Sequence, residues 1–151
     1  LMYEKYTRMS LPDREYRLLL ASAIYTFNTN NAQMVKFLIK YGNLDEKEWY
    51  RLMDCESGKL KREICKLISP ERCKNINEIS DFFGILVEKR NRIIHSFPTT
   101  NNYGEQMLRT KEKSNSGDNQ YDITKEELMD FIKQNEKMSD IFQELKKEKF
   151  F

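Results

Sequence analysis

The 151-residue chain has one histidine and three cysteines. Cys55, Cys65 and Cys73 are an odd set at irregular spacing, and no C-x-x-C pair is present. Structural zinc draws its ligands from pairs typically two to four residues apart, so no metal and no cofactor is expected, and the thiols read as reduced and cytosolic. No apolar run approaches the roughly 20 residues that cross a bilayer. No N-terminal stretch reads as a signal peptide, so the expectation is a cytoplasmic chain without a membrane partner. Charge of one sign is lacking too. Lys and Arg number 26 against 24 Asp and Glu, a formal net charge of +2. That excludes a polybasic, DNA-coating protein and leaves room for a local basic patch.

What is present is a globular composition, 33% charged and 39% hydrophobic, on a length that fits one domain over residues 1–151. Pro12 and Asp13 open a helical stripe of Tyr16, Leu19, Leu20, Ala23, Ile24 and Phe27. Asn28-Thr29-Asn30-Asn31 interrupts it, and Met34, Val35, Leu38 and Tyr41 resume it up to Gly42. Asp45 and Glu48 have capping-box spacing before Trp49, Leu52 and Met53. Ser57-Gly58 is expected to break or bend the chain before Leu60, Ile64, Leu67 and Ile68, which stop at Ser69-Pro70. Asn75 or Asn77 caps a further helix, and Thr124 with Glu127 makes a capping box before a final one containing Leu128, Phe131, Ile132, Met138, Ile141, Phe142 and Leu145. Between these two helices, residues 98–123 are polar and punctuated by Gly104 and Gly117. They read either as a flexible loop or as a small β-hairpin pairing Met107–Thr110 with Tyr121–Ile123. The fold class is therefore all-α, a single-domain helical bundle with a long loop or hairpin insert before the last helix.

The helix that ends at the histidine carries two faces. On a wheel of about 100° per residue, Ile79, Phe82, Phe83, Leu86, Ile93, Ile94 and Phe97 fall on one side and should face the core. Gly84, Glu88, Asn91 and His95 fall opposite, at steps of four, three and four. That is the spacing of a coiled-coil seam, made here of small and polar residues, with a glycine that admits a close backbone. It reads as the face along which a second copy packs, leaving a wet groove. Arg90 lies inside the apolar stripe between Leu86 and Ile93. A buried guanidinium is costly, so it must snorkel, pair with an acid or line a cavity. Taken singly, Arg90 is a snorkelled, paired arginine and His95 a helix C-cap beside the dipole.

Taken together, Arg90-Asn91-Arg92-Ile93-Ile94-His95 resembles the R-x4-6-H motif of HEPN domains, in the form with a polar residue after the arginine. The likeness in residue identity covers these six positions; the rest is agreement in helix pattern and length. The resemblance implies a helical bundle of HEPN type with the motif near the end of one of its later helices. It also implies a homodimer whose two motifs meet in one cleft, and a metal-independent endoribonuclease of toxin–antitoxin, abortive-infection or CRISPR-linked defence, with an antitoxin or regulatory protein as a further partner. One branch of that family has a tyrosine two positions after the histidine, which its partner modifies. Here that position is Phe97, without a hydroxyl, and Tyr103 is the hydroxyl left for such chemistry.

The residues themselves fit RNA cleavage. Imidazole, titrating near neutral pH, is suited to move protons to and from ribose oxygens. Arg90 can fork onto non-bridging phosphate oxygens as charge develops. Asn91, one turn before His95, can orient the imidazole or bind a phosphate or 2′-hydroxyl. Catalytic roles thus fall to Arg90, His95 and Asn91, and a second copy would supply the second imidazole that an acid and a base require. Lys89, Arg92, Arg109 and Lys111, with Lys113, Tyr103 and Tyr121, are candidates to hold an RNA strand by charge and stacking. Lys59, Lys61, Arg62, Lys66, Arg72 and Lys74 form either a second backbone track or an ordinary solvated face. Two other classes stay open: a HEPN-like module that binds RNA or a nucleotide without cutting it, and a helical interaction protein in which Arg90 and His95 are structural.

Overall fold

The first element, after a short 3₁₀ turn at Tyr3–Tyr6, is a 28-residue helix α1 (Arg14–Tyr41). Its start is written in the sequence: the Tyr16 N–H donates to the Asp13 carboxylate at 2.8 Å, an N-cap bond. The structure, a computed structural model, describes residues 3–112 and 119–148. Lys113 and Gly117 lie outside the described residues, as does the segment 113–118 of the expected insert.

Helix α1 runs unbroken through Asn28–Asn31, against the expected interruption. Asn is disfavoured in a helix by about 0.5 kcal/mol relative to Ala, too little to break a helix whose inward face is buried on both sides. One of these asparagines is itself core. Asn30 is buried and its Nδ2 donates to the backbone O and Oδ1 of Asn135 at 2.8 and 2.9 Å. Asn135 Nδ2 in turn donates to the Phe131 carbonyl at 2.9 Å.

Helix α2 (Glu48–Asp54) begins later than its capping-box spacing suggested. The Asp45 carboxylate accepts from the Lys47 N–H at 2.9 Å instead of capping the helix, and Glu48 turns to Arg51. Helix α3 (Ser57–Leu67) starts at the serine expected to break the chain, so the break sits at Cys55–Glu56. Helix α4 (Ile76–Ile94) has Asn75 at its N-cap position, without a side-chain bond, and His95 at its C-cap. Helix α5 (Lys125–Lys147) opens on the expected capping box: Glu127 N–H donates to the Thr124 hydroxyl at 3.2 Å, and Thr124 N–H to the Glu127 carboxylate at 3.1 Å.

Between α4 and α5 lies a three-stranded antiparallel sheet in the order β1 (Phe97–Thr100), β2 (Gln106–Lys111), β3 (Gln120–Ile123). The β2–β3 pairing is the anticipated hairpin, with Leu108 opposite Ile123 and Thr110 opposite Tyr121. Strand β1 extends the expected hairpin to three strands, and the chain is mostly helical with this small sheet, compatible with a helical bundle carrying a hairpin insert. Pro98 forces its neighbour to extend, and Phe97 then pairs with Arg109. Gly104 takes φ +79° in the β1–β2 turn, where a side chain would be strained. Tyr16 fastens the sheet to α1. Its hydroxyl donates to the Ile123 carbonyl at 2.7 Å and accepts from the Leu108 N–H at 3.0 Å.

The core lies between α1, α4 and α5, with α3 against α4. At its centre Phe27 is stacked between Phe83 and Phe131, with centroids 6.2 and 6.3 Å away. Truncating such a ring costs roughly 3–5 kcal/mol. Among the described residues no helix is long and apolar enough to cross a membrane.

Candidate functional site

Arg90 solves its burial problem with the core ring. Its guanidinium carbon sits 5.7 Å from the Phe27 centroid, and its Nη1 donates to Asn91 Oδ1 at 3.0 Å. A guanidinium over an aromatic face is held without a carboxylate, and none pairs with Arg90 among the described residues. Its Nε is buried and makes no hydrogen bond among the described residues. The guanidinium is thereby oriented and short of acceptors.

Arg90, Asn91 and His95 line one cavity of about 740 Å³. The rest of the lining comes from Asn28 and Asn31 on α1 and from the α2–α3 junction, Met53 through Gly58. His95 is exposed at the end of α4, where its backbone N–H donates to the Asn91 carbonyl at 2.9 Å. Its imidazole makes no side-chain hydrogen bond among the described residues. The cavity therefore offers an oriented cation, amides and a solvent-facing imidazole, with the Asp54 and Glu56 carboxylates also in its lining. That set can bind a phosphate and exchange protons. Among the described residues no group of three or more His, Cys, Asp or Glu side chains could hold a metal ion.

The other expected contacts are elsewhere. Arg92 stands about 200° round the helix from Arg90, because residues two apart do not share a face. It approaches Glu88 at 3.2 Å and donates to the Lys111 carbonyl at 3.2 Å. Lys89 lies 3.6 Å from Asp130, and Arg109 donates to Asp122 at 2.6 Å. The Asp122 carboxylate raises the Arg109 pKa, chiefly by that hydrogen bond. Lys89, Arg92 and Tyr121 line a separate cavity of about 380 Å³ with Ile93, Ile123 and Phe131. Lys111 is exposed on β2, and Tyr103, 90% exposed, stands in the β1–β2 turn. Among the described residues, none of the strand-holding candidates lines the Arg90–His95 cavity.

The seam needs correction at one end. The position of a Cβ on Gly84 falls 2.7 Å from Lys61 Cε, so α3 of this chain, not a second copy, occupies that space. Glu88 turns to Arg92, leaving Asn91 and His95 as the seam residues at the cavity. Two residues expected in the core are also outside it: Ile94 is 47% and Phe97 44% exposed. Helix α4 ends at Ile94, so Phe97, in a strand, no longer follows the wheel. The basic stretch of Lys59 to Lys74 is mostly exposed on α3 and the loop after it, with Arg72 donating to the Tyr41 carbonyl at 2.7 Å.

Sequence reasoning missed the rest of the Arg90 cavity lining. Asn28 and Asn31 read as an interruption, and Ser57 as a breaker. Three residues of low helix propensity inside or at the start of helices were the available signal. No family model, no curated protein and no solved structure matches the chain.

Proposed function

We propose that the chain is a HEPN-type, metal-independent endoribonuclease acting as a homodimer, with Arg90, Asn91 and His95 as its catalytic set. The observation that carries this reading is the shared cavity. The R-x4-H pair, with four residues between, lines one cavity, with the arginine set over Phe27 and its Nε without a partner among the described residues.

In the reaction the 2′-oxygen attacks phosphorus as its proton passes to an imidazole. The bond from phosphorus to the 5′-oxygen breaks, and that oxygen takes a proton from an acid. Arg90 faces the non-bridging oxygens, where negative charge grows, and donates to them. Each chain brings one imidazole, so the second comes from a second copy. Ile94 and Phe97, exposed beside His95, are apolar surface that such a copy covers. The biological setting, a cytoplasmic toxin or antiviral effector restrained by an antitoxin or regulatory protein, follows from the resemblance alone.

The test is incubation of RNA with the protein in excess EDTA. Cleavage is expected to persist and to leave 2′,3′-cyclic phosphate or 3′-phosphate ends, while DNA, without the 2′-hydroxyl, stays intact. Activity lost on chelation and restored by magnesium or manganese defeats the mechanism. A second reading is favoured by the single imidazole per chain: the cavity holds RNA or a nucleotide without cutting it. Binding without cleavage in the same assay selects it.

A further inference from the structure

Four residues of low helix propensity stand together in the middle of α1, and the helix does not break for them. Asn30 is accounted for by Asn135 in the core. The Thr29 hydroxyl donates back to the Tyr25 carbonyl at 3.1 Å. Asn28 has no such task among the described residues, and Asn31 has a single bond, to α3. Three residues apart, they share a face, and both line the same cavity as Arg90, Asn91 and His95. Asn31 Oδ1 accepts from the Ser57 hydroxyl at 3.1 Å, which fixes the amide plane and leaves Nδ2 as its end for a ligand. The Asn28 side chain makes no hydrogen bond among the described residues, so donor and acceptor are both open.

An amide pair in one cavity with a phosphate-binding pair is the chemistry that reads a nucleobase. Base edges carry adjacent donors and acceptors, and an Asn amide can match two of them at once. We infer that Asn28 and Asn31 are specificity-determining residues that hold one unpaired base while its phosphate meets Arg90 and His95, so the substrate class is single-stranded RNA. This rests on the ribonuclease reading. In a duplex the base edges are already paired and stacked, whereas a splayed base enters a cavity of about 740 Å³. The fixed Asn31 Nδ2 requires an acceptor, a ring nitrogen or carbonyl, at its place on the base.

The experiment maps the cleaved positions in an unstructured RNA pool for the wild type, Asn31→Leu, Asn31→Asp and Thr29→Ala. In parallel, His95→Ala alone and combined with Asn31→Leu is titrated with oligo(A), oligo(C), oligo(G) and oligo(U). The wild type is expected to favour one base at the cleaved position by roughly tenfold, the discrimination a good amide–base pair provides. Asn31→Leu should reduce that ratio towards one, and Asn31→Asp should move it towards a base with an amino donor there. Thr29→Ala should keep the wild-type ratio. Melting curves check that the variants are folded. Cleavage with an unchanged ratio in folded Asn31→Leu overturns the base wall and leaves the nuclease standing. No cleavage, but base-selective binding that Asn31→Leu removes, supports the wall and overturns the nuclease. Neither cleavage nor base-selective binding overturns both.

Discussion

Removing the Arg90 side chain separates a catalytic arginine from a structural one, because its contributions to stability nearly cancel. Its contact with Phe27, at 5.7 Å, is worth about 0.5–2 kcal/mol. Its hydrogen bond to Asn91, at 3.0 Å, adds about 1 kcal/mol. Against these, a buried Nε without a partner among the described residues costs about 1–3 kcal/mol. Arg90→Ala should therefore change stability by no more than about 2 kcal/mol in either direction, which for a chain of this length moves Tm by at most roughly 4–8 °C. Cleavage should fall far more, by about 10²–10³-fold, as when one donor to a developing oxyanion is lost. His95→Ala should leave Tm unchanged, because the residue is exposed, and remove about 10²–10⁴-fold of rate. Arg90→Lys should restore little, since an ammonium cannot fork onto phosphate. The assay is thermal melting and RNA cleavage on the same preparations. If Arg90→Ala melts more than about 10 °C lower, and cleavage falls only with the folded fraction, the arginine is structural. If His95→Ala melts like the wild type and still cuts RNA, the site is misplaced.

Two further outcomes test the scaffold. Tyr16→Phe deletes the hydroxyl that joins the Ile123 carbonyl and the Leu108 N–H, leaving the first without that partner in a buried place and the second in a part-buried one. Urea unfolding should show a loss of about 2–4 kcal/mol, and amide exchange at Leu108 should accelerate; a loss under about 0.5 kcal/mol refutes the latch. Acid should weaken the α1 terminus. The Arg17 hydrogen bond holds the Glu4 carboxyl down at about 2 from 4.5, and the Lys125 hydrogen bond lowers that of Asp13. A depressed carboxylate stabilises above its unfolded pKa and loses that contribution as pH falls through its folded one. Melting against pH should thus decline from about pH 4.5 towards 2 more steeply in the wild type than in a Glu4→Gln/Asp13→Asn variant. Because both carboxylates are exposed, high salt should flatten the difference. Identical profiles refute it.

The helices were legible because each is a local matter. A three- and four-residue apolar period, Asp13 and Thr124 as caps, and Pro70 and Pro98 as stops act within a turn or two of chain. The β2–β3 hairpin was legible for the same reason, from alternation near turn residues. The R-x4-H spacing also placed Arg90, Asn91 and His95 on neighbouring turns of one helix before any fold was known. What tertiary structure decided was which atoms meet across elements. A wheel drawn on α4 could not say that Phe27, from α1, would carry the Arg90 cation, or that Lys61 from α3 would fill the space at Gly84. Nor could it say that Asn30 would be core while Asn28 and Asn31 would face the Arg90 cavity. Arg92 and Lys89, adjacent in sequence to the motif, were drawn to Glu88 and to Asp130 of α5 instead of the cavity. Sequence neighbours separate by 100° for each residue of helix, whereas residues some 60 positions apart share a cavity when two helices pack. The chemistry of the site was therefore written locally, and its walls were set by packing.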